Sequence, residues 1–226
     1  MLLSAIVLFL MLSLTPRATE VGLDGKVLLF PAKTDDSYVK LVPKKPMMLS
    51  AFTLCMRVAS EDRNLRDFIL FAYRTPNYDE LNVWHERDGR VSFYIQSSDH
   101  GVLFNWPPSS SLHTHMCFTW SSETGISAFW FNGQRSGYQV YRKGFIVNRD
   151  GTVLLGQDPD NFLGKFSAKQ SFVGDISDVN MWDYVLSENQ IRALYLKQKS
   201  APNGNVLDWK TMEYEIKGEV LVVEDN

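Results

Sequence analysis

Cysteine, long hydrophobic runs and an excess of either charge are all scarce in this chain. The 226 residues carry a formal charge of −3 and a pI near 5.8. That balance argues against a nucleic-acid binder, which would show a basic field. The short basic spots Lys44-Lys45 and Lys197–Lys199 read as solvated surface. Only residues 2–14 form an extended apolar run, too short for a bilayer, which needs about 20. Followed by Thr15-Pro16-Arg17-Ala18, it reads as a secretory signal over residues 1–18, leaving one domain over 19–226. No second such run follows, so a secreted protein without a membrane anchor is expected. No N-x-[ST] sequon occurs either.

Catalytic signatures are also missing. The sequence contains no G-x-S-x-G elbow, HExxH pair, P-loop or dinucleotide fingerprint. A sandwich glycosidase needs two carboxylates facing one cleft. Glu80 and Glu86 come nearest, and share a face only if their strand runs unbroken. A binding protein is expected, and not an enzyme.

What is present is a series of short, aromatic and β-branched runs. They fall at residues 26–30, 38–42, 51–59, 68–73, 81–85, 90–95, 101–104, 115–121, 125–131, 152–155 and 175–182. Turn chemistry separates many of them, as in Arg87-Asp88-Gly89 and Asn132-Gly133. Such a series predicts an all-β sandwich or barrel. One helix is predicted from Ser187, which opens a capping box with Gln190. Ile191, Leu194 and Tyr195 then form an apolar stripe that must lie on a sheet face.

Cys55 and Cys117 both follow the signal, and an oxidising compartment with an even count favours one disulfide. A zinc site formed with His113 and His115 is the alternative, without the paired short spacing of zinc modules. Each cysteine lies opposite its strand's bulky row, Phe52, Leu54, Met56 and Val58 or Met116, Phe118 and Trp120. The parity predicts a bridge between neighbouring strands of one sheet. Asp158-Pro159-Asp160 offers two carboxylates and a carbonyl, which suit calcium. On local pattern alone a solvated acidic turn is favoured over calcium. Lys169 and Leu163 exclude an EF-hand, whose loop needs Glu and Gly there.

The segment His115-Met116-Cys117-Phe118-Thr119-Trp120-Ser121-Ser122 fits the pentraxin signature H-x-C-x-[ST]-W-x-[ST]. Leu155-Gly156-Gln157, Gln170 to Ile176 and Val179-Asn180-Met181-Trp182-Asp183 resemble the same family, and the likeness runs from about Gly22 to about Val223. The resemblance implies a two-sheet antiparallel jelly-roll (lectin-like) sandwich with one short α-helix and a Cys55–Cys117 disulfide. It implies a ring, usually of five subunits, with two calcium ions on one face of each subunit. Asp79, Asp158, Pro159, Asp160 and Gln170 match calcium ligands. Ser167 stands where relatives carry a carboxylate, so weak binding of the second ion is expected.

Trp84, Tyr94 and Asp99 fall on ligand-contacting positions of the family. An aromatic wall and an acid suit a quaternary ammonium, although Tyr94 narrows the pocket towards phosphoethanolamine or a sugar acetal. The expected ligands are phosphocholine, phosphoethanolamine or acidic saccharides on microbes and damaged cells, recognised in innate immunity. The resemblance also implies a complement partner on the opposite face, with Asn132 where some members use an acid.

Overall fold

A computed structural model describes residues 20–61, 66–107 and 113–225. The expected signal over residues 1–18 lies outside the described residues. In chain order the strands are β1 (Glu20–Val21), β2 (Lys26–Phe30), β3 (Tyr38–Val42), β4 (Ala51–Ala59), β5 (Phe68–Arg74), β6 (Asp79–His85), β7 (Arg90–Ile95) and β8 (Val102–Asn105). They continue as β9 (Thr114–Ser121), β10 (Ile126–Phe131), β11 (Gln134–Arg135), β12 (Gln139–Val140), β13 (Thr152–Leu155) and β14 (Gly174–Trp182). The helix α1 (Glu188–Tyr195) precedes β15 (Glu213–Lys217) and β16 (Leu221–Glu224).

Two antiparallel sheets form a jelly-roll sandwich. The first has the order β1-β15-β3-β13-β5-β6-β7-β8, and the second β11-β10-β9-β4-β14-β2-β16, with β12 also on β10. Alternation puts one row of each strand between the sheets. Phe52, Leu54 and Met56 from β4 meet Met116, Phe118 and Trp120 from β9 there, with Phe93 and Phe71 opposite.

The outer face of the second sheet carries the helix. Cys55 and Cys117 stand directly opposite on β4 and β9 and are joined, with Cα atoms 4.1 Å apart. Trp130, Trp182, Leu186 and Ile191 bury that bridge, with Leu194 packed against them. The cysteines therefore join neighbours of one sheet, as their parity requires, and leave no thiolate for zinc. Ser187 and Gln190 close the capping box, the Ser187 N–H donating to Gln190 Oε1 at 2.9 Å. At the other end Arg57 Nη2 donates to the carbonyls of Leu194 and Tyr195, at 3.3 and 2.6 Å.

All the strands read from the sequence are present, with ends moved by no more than two residues. Beyond them lie β1, β11, β12, β15 and β16. These strands are short or poorly buried: β15 buries only Tyr214, and β16 buries none of its residues. β1, β11, β12 and β16 carry little of the alternation by which a strand is recognised, whereas β15 does alternate, with Tyr214 and Ile216 between charged residues.

Candidate calcium and head-group site

The site lies on the outer face of the first sheet, where a loop from Gly156 to Val173 folds back over the strands. Gly156 turns the chain at φ +92°, a conformation that suits glycine, immediately after β13. A Cβ there would lie 2.3 Å from the Phe30 ring, so a side chain is also excluded by space. Buried Gln157 then fastens the loop, its Nε2 donating to the carbonyls of Thr34 and Ser37 at 2.6 and 3.3 Å. Phe166 packs on Tyr38 at 5.1 Å between ring centres, beside Ile69, Ala72, Leu154 and Trp84. Farther on, the Ile69 N–H donates to the Gln170 carbonyl at 3.0 Å.

A bulge in β6 supplies the other side. Tyr73 pairs with Leu81 but Arg74 with Asp79, so Glu80 is the extra residue. Asp79 therefore lines the same cavity as Asn82 and Trp84. Glu80 is buried and accepts from the Asn148 N–H at 2.9 Å. The bulge separates Glu80 from Glu86, which lines the cavity with Asp79. The carboxylate pair considered for glycoside hydrolysis is not brought together.

The cavity encloses about 340 Å³ and gathers Asp79, Asp158, Gln170, Trp84 and Tyr94 from segments far apart in sequence. Asp160 is exposed beside it and Pro159 is buried between the two acids. Asp99 does not line the cavity: Gln96 and Ser97 turn the chain at φ +53° and +45°, and Asp99 lies exposed beyond them. Ser167 lines a neighbouring cleft that shares Gln170 with the cavity.

Five lining residues were not singled out as ligands from sequence: Asp67, Asn82, Glu86, Ser97 and Ser98. Asn82 stands opposite Tyr94 on β7 and donates from Nδ2 to Asp158 Oδ1 at 2.8 Å. Its Oδ1 is buried with no hydrogen-bond partner among the described residues. Glu86 Oε1 accepts from Ser92 Oγ at 2.5 Å and from the Tyr94 hydroxyl at 3.1 Å. Burial, reinforced by the Glu86 charge, pushes the Tyr94 hydroxyl up to about 12. The polar interruption of an apolar run at Asn82 was the available signal, but an outer-face polar residue ordinarily reads as solvated.

Electrostatics favour a cation. Burial, then repulsion from Asp79 and Asp160, pushes the Asp158 carboxyl up to about 7, although Arg74 and the Asn82 bond oppose the rise. Arg74 is itself paired with Asp79. Clustered carboxylates with an orphaned amide oxygen form a hard oxygen-donor set, the kind that calcium takes. Replacing Asn82 by Leu removes both the Asp158 bond and the amide oxygen. A loss of about tenfold or more in calcium affinity is expected, in line with outer partners of metal ligands. Calorimetric titration with calcium checks this, and an unchanged isotherm contradicts it.

The aromatic wall has its own support. A Cβ on Gly101 would come within 2.6 Å of the Tyr94 ring, so that glycine lets the ring lie where it does. Gly101→Ala should displace Tyr94 and weaken head-group binding about tenfold, about 1.4 kcal/mol, with calcium affinity kept. Equal losses of both affinities would refute a role confined to the wall.

The comparisons with known proteins agree with this architecture. The pentaxin family model matches residues 26–224. The chain belongs to the pentaxin family. It is 57% identical over 223 residues to C-reactive protein of Danio rerio, covering 98% of this chain and 99% of that protein. It is 36% identical to C-reactive protein of Homo sapiens, covering 92% of each chain. The heptameric SAP-like pentraxin of Limulus polyphemus superposes with a TM-score of 0.79 at 23% identity, over 91% of this chain and 97% of that one. That last likeness concerns the pentaxin fold. No helix among the described residues is long and apolar enough to cross a membrane.

Proposed function

We propose that this pentaxin is a secreted recognition protein that binds phosphorylated head groups, phosphoethanolamine foremost, through bound calcium. The observation that carries the reading is the one cavity in which Asp79, Asp158 and Gln170 meet Trp84, Tyr94 and Glu86. Asp79, Asp158, Asp160, the Pro159 carbonyl and Gln170 are the residues that would hold calcium. When bound, the metal supplies positive charge and coordination positions for phosphate oxygens.

The chain's own groups then select the other end of the ligand. Trp84 and Tyr94 offer aromatic surface to an ammonium, and Glu86 offers a carboxylate whose Oε1 already accepts from Tyr94. A primary ammonium can donate hydrogen bonds to Glu86, whereas a quaternary one has none to give. That difference favours phosphoethanolamine over phosphocholine. Asp99, exposed and outside the cavity, becomes a rim residue in this reading.

Ser167 offers a neutral hydroxyl, so a second ion would be held weakly and with help from the ligand. Membership in the family supports a homo-oligomer, a pentamer in the first instance. Several modest sites presented together would gain avidity on microbial or damaged cell surfaces. Acidic saccharides and a complement protein are further partners consistent with an innate-immune role.

The test is retention on immobilised phosphoethanolamine and phosphocholine, with calcium and then with chelator. Calcium-dependent retention, stronger on phosphoethanolamine, is expected. Equal retention in chelator would overturn the calcium mechanism, and preference for phosphocholine would overturn the role given to Glu86.

A further inference from the structure

The outer face of the second sheet brings a third donor to the disulfide. Side chains two apart on a strand share a face, so His115 stands beside Cys117 on β9. Cys55 lies directly across from Cys117, and Arg57 across from His115. The donor atoms of Cys55, Cys117 and His115 all lie within 4.8 Å of one another, and all three residues are buried. His115 Nε2 is 3.8 Å from Cys117 Sγ. Backbone bonds fix the residue in place. The His115 N–H donates to Asn132 Oδ1 at 3.0 Å, and the Asn132 N–H donates to the His115 carbonyl at 2.8 Å. The ring's Nδ1 is buried with no hydrogen-bond partner among the described residues.

We infer that reduction of the Cys55–Cys117 bond turns this cluster into a binding site for a thiophilic metal ion, zinc foremost. Tetrahedral zinc, with bonds of about 2.3 Å to sulfur and 2.0 Å to nitrogen, holds its ligand atoms about 3.5–3.8 Å apart. His115 thus already stands at a ligand's distance from Cys117, and only the two sulfurs need to part. Opening the bond leaves their strands together, because β4 and β9 pair without a break from Ala51 with Ser121 to Val58 with Thr114. Two thiolates, a neutral imidazole and a doubly charged zinc carry no net charge. Such a centre suits the apolar cover of Trp130, Trp182, Leu186 and Ile191. Zinc would tie β4 to β9 in place of the covalent bond.

Access comes from one side. A cleft of about 540 Å³ is lined by Cys55 and His115, with Asp178, Asn180 and Leu194 around them, whereas Cys117 does not line it. A dithiol reductant entering this cleft meets the Cys55 sulfur. One of its thiolates attacks Cys55 Sγ, which breaks the bridge and releases Cys117 as a thiolate that takes up a proton. The reductant's second thiolate then displaces Cys55, and the dithiol leaves oxidised to a disulfide. Two electrons have passed to the protein, which now holds two thiols. Zinc displaces their two protons on binding. Water or a small thiol fills the fourth position. In the oxidised chain neither sulfur is a thiolate, so the site exists only after reduction.

The experiment uses the full mature chain, reduced with dithiothreitol under nitrogen, freed of reductant and titrated with cobalt(II) in excess calcium. Cobalt is the probe because tetrahedral thiolate ligation gives it a charge-transfer absorption that carboxylate ligation does not. That absorption is expected at an equimolar end point in the reduced protein and absent from the oxidised one, and zinc should abolish it. Tryptophan fluorescence follows the fold throughout. His115→Ala should weaken cobalt binding about a hundredfold or more, beyond the loss usual for an outer partner of a metal ligand. His115→Gln is the second variant, with the same loss expected, should the first fail to fold. A reduced chain that unfolds, or one that stays folded without thiolate-bound cobalt, overturns the site. Equal absorption in the oxidised chain, or an unchanged affinity in the folded variants, overturns it as well.

Discussion

Saturating calcium should raise the melting temperature by about 8–16 °C at pH 8 and by only a few degrees at pH 5. At a thousand times its Kd, a ligand that binds only the folded state stabilises by about 4 kcal/mol. A domain of this size gains about 2–4 °C per kcal/mol. The pH dependence comes from Asp158, whose carboxyl stands at about 7 against an ordinary 3.8. Calcium needs the ionised form, and each pH unit below 7 costs about 1.4 kcal/mol to expel the proton. Two units remove roughly 2.7 kcal/mol, about a hundredfold in affinity.

The calcium-free protein should behave in the opposite sense. A carboxyl raised on folding adds stability that is fully present below pH 3.8 and is lost as the pH rises through about 7. The loss from this one group approaches about 4 kcal/mol. Asp158→Asn keeps the shape and removes the charge. It should stabilise the calcium-free protein at pH 8 while abolishing most of the calcium effect. Thermal scans of both proteins at pH 5 and 8, with calcium and with chelator, check the prediction. A calcium shift independent of pH, or undiminished in the variant, contradicts it.

Removing the disulfide should have a comparable effect by another route. Cys55 and Cys117 are 62 residues apart, and β4 and β9 are already paired around them. The bond therefore adds little to the folded contacts and acts mainly on the unfolded chain. The chain-entropy model gives about 4 kcal/mol for a loop of this length. Replacing both cysteines by Ala should lower the stability by about that amount in urea unfolding. The slope m should also rise, because the unfolded chain exposes more surface. A loss below about 1 kcal/mol would mean that the reduced chain stays compact. Trp130, Trp182 and Ile191 over the bridge should keep the helix seated in the variant that remains folded.

Much of this architecture was legible in the sequence because the sandwich writes itself as alternation. Phe52, Leu54 and Met56 face one way and Cys55 the other, and that parity alone placed the bridge within one sheet. Strands β15 and β16 were not read from the sequence: β16 ends its sheet with only Val222 against the core, whereas β15 does turn Tyr214 and Ile216 inward between charged neighbours. The site divides along similar lines. The local Asp158-Pro159-Asp160 pattern suggested calcium only weakly, and Asp79 and Gln170 were found through family resemblance, because no local pattern connects segments so distant. The bulge at Glu80, which decides the direction of Asp79, depends on pairing with β5 and is invisible in one strand. Asn82 was not singled out and Glu86 only as a candidate hydrolytic carboxylate, because their place in the cavity depends on the loop from Gly156 covering that face.

The most direct measurement is a crystal structure of the mature chain with calcium and phosphoethanolamine. Calcium among Asp79, Asp158, Asp160 and Gln170 is expected, with phosphate oxygens on the metal and the ammonium within hydrogen-bond distance of Glu86. Calcium and ligand found elsewhere on the subunit, with this cavity holding only water, would contradict the proposed function.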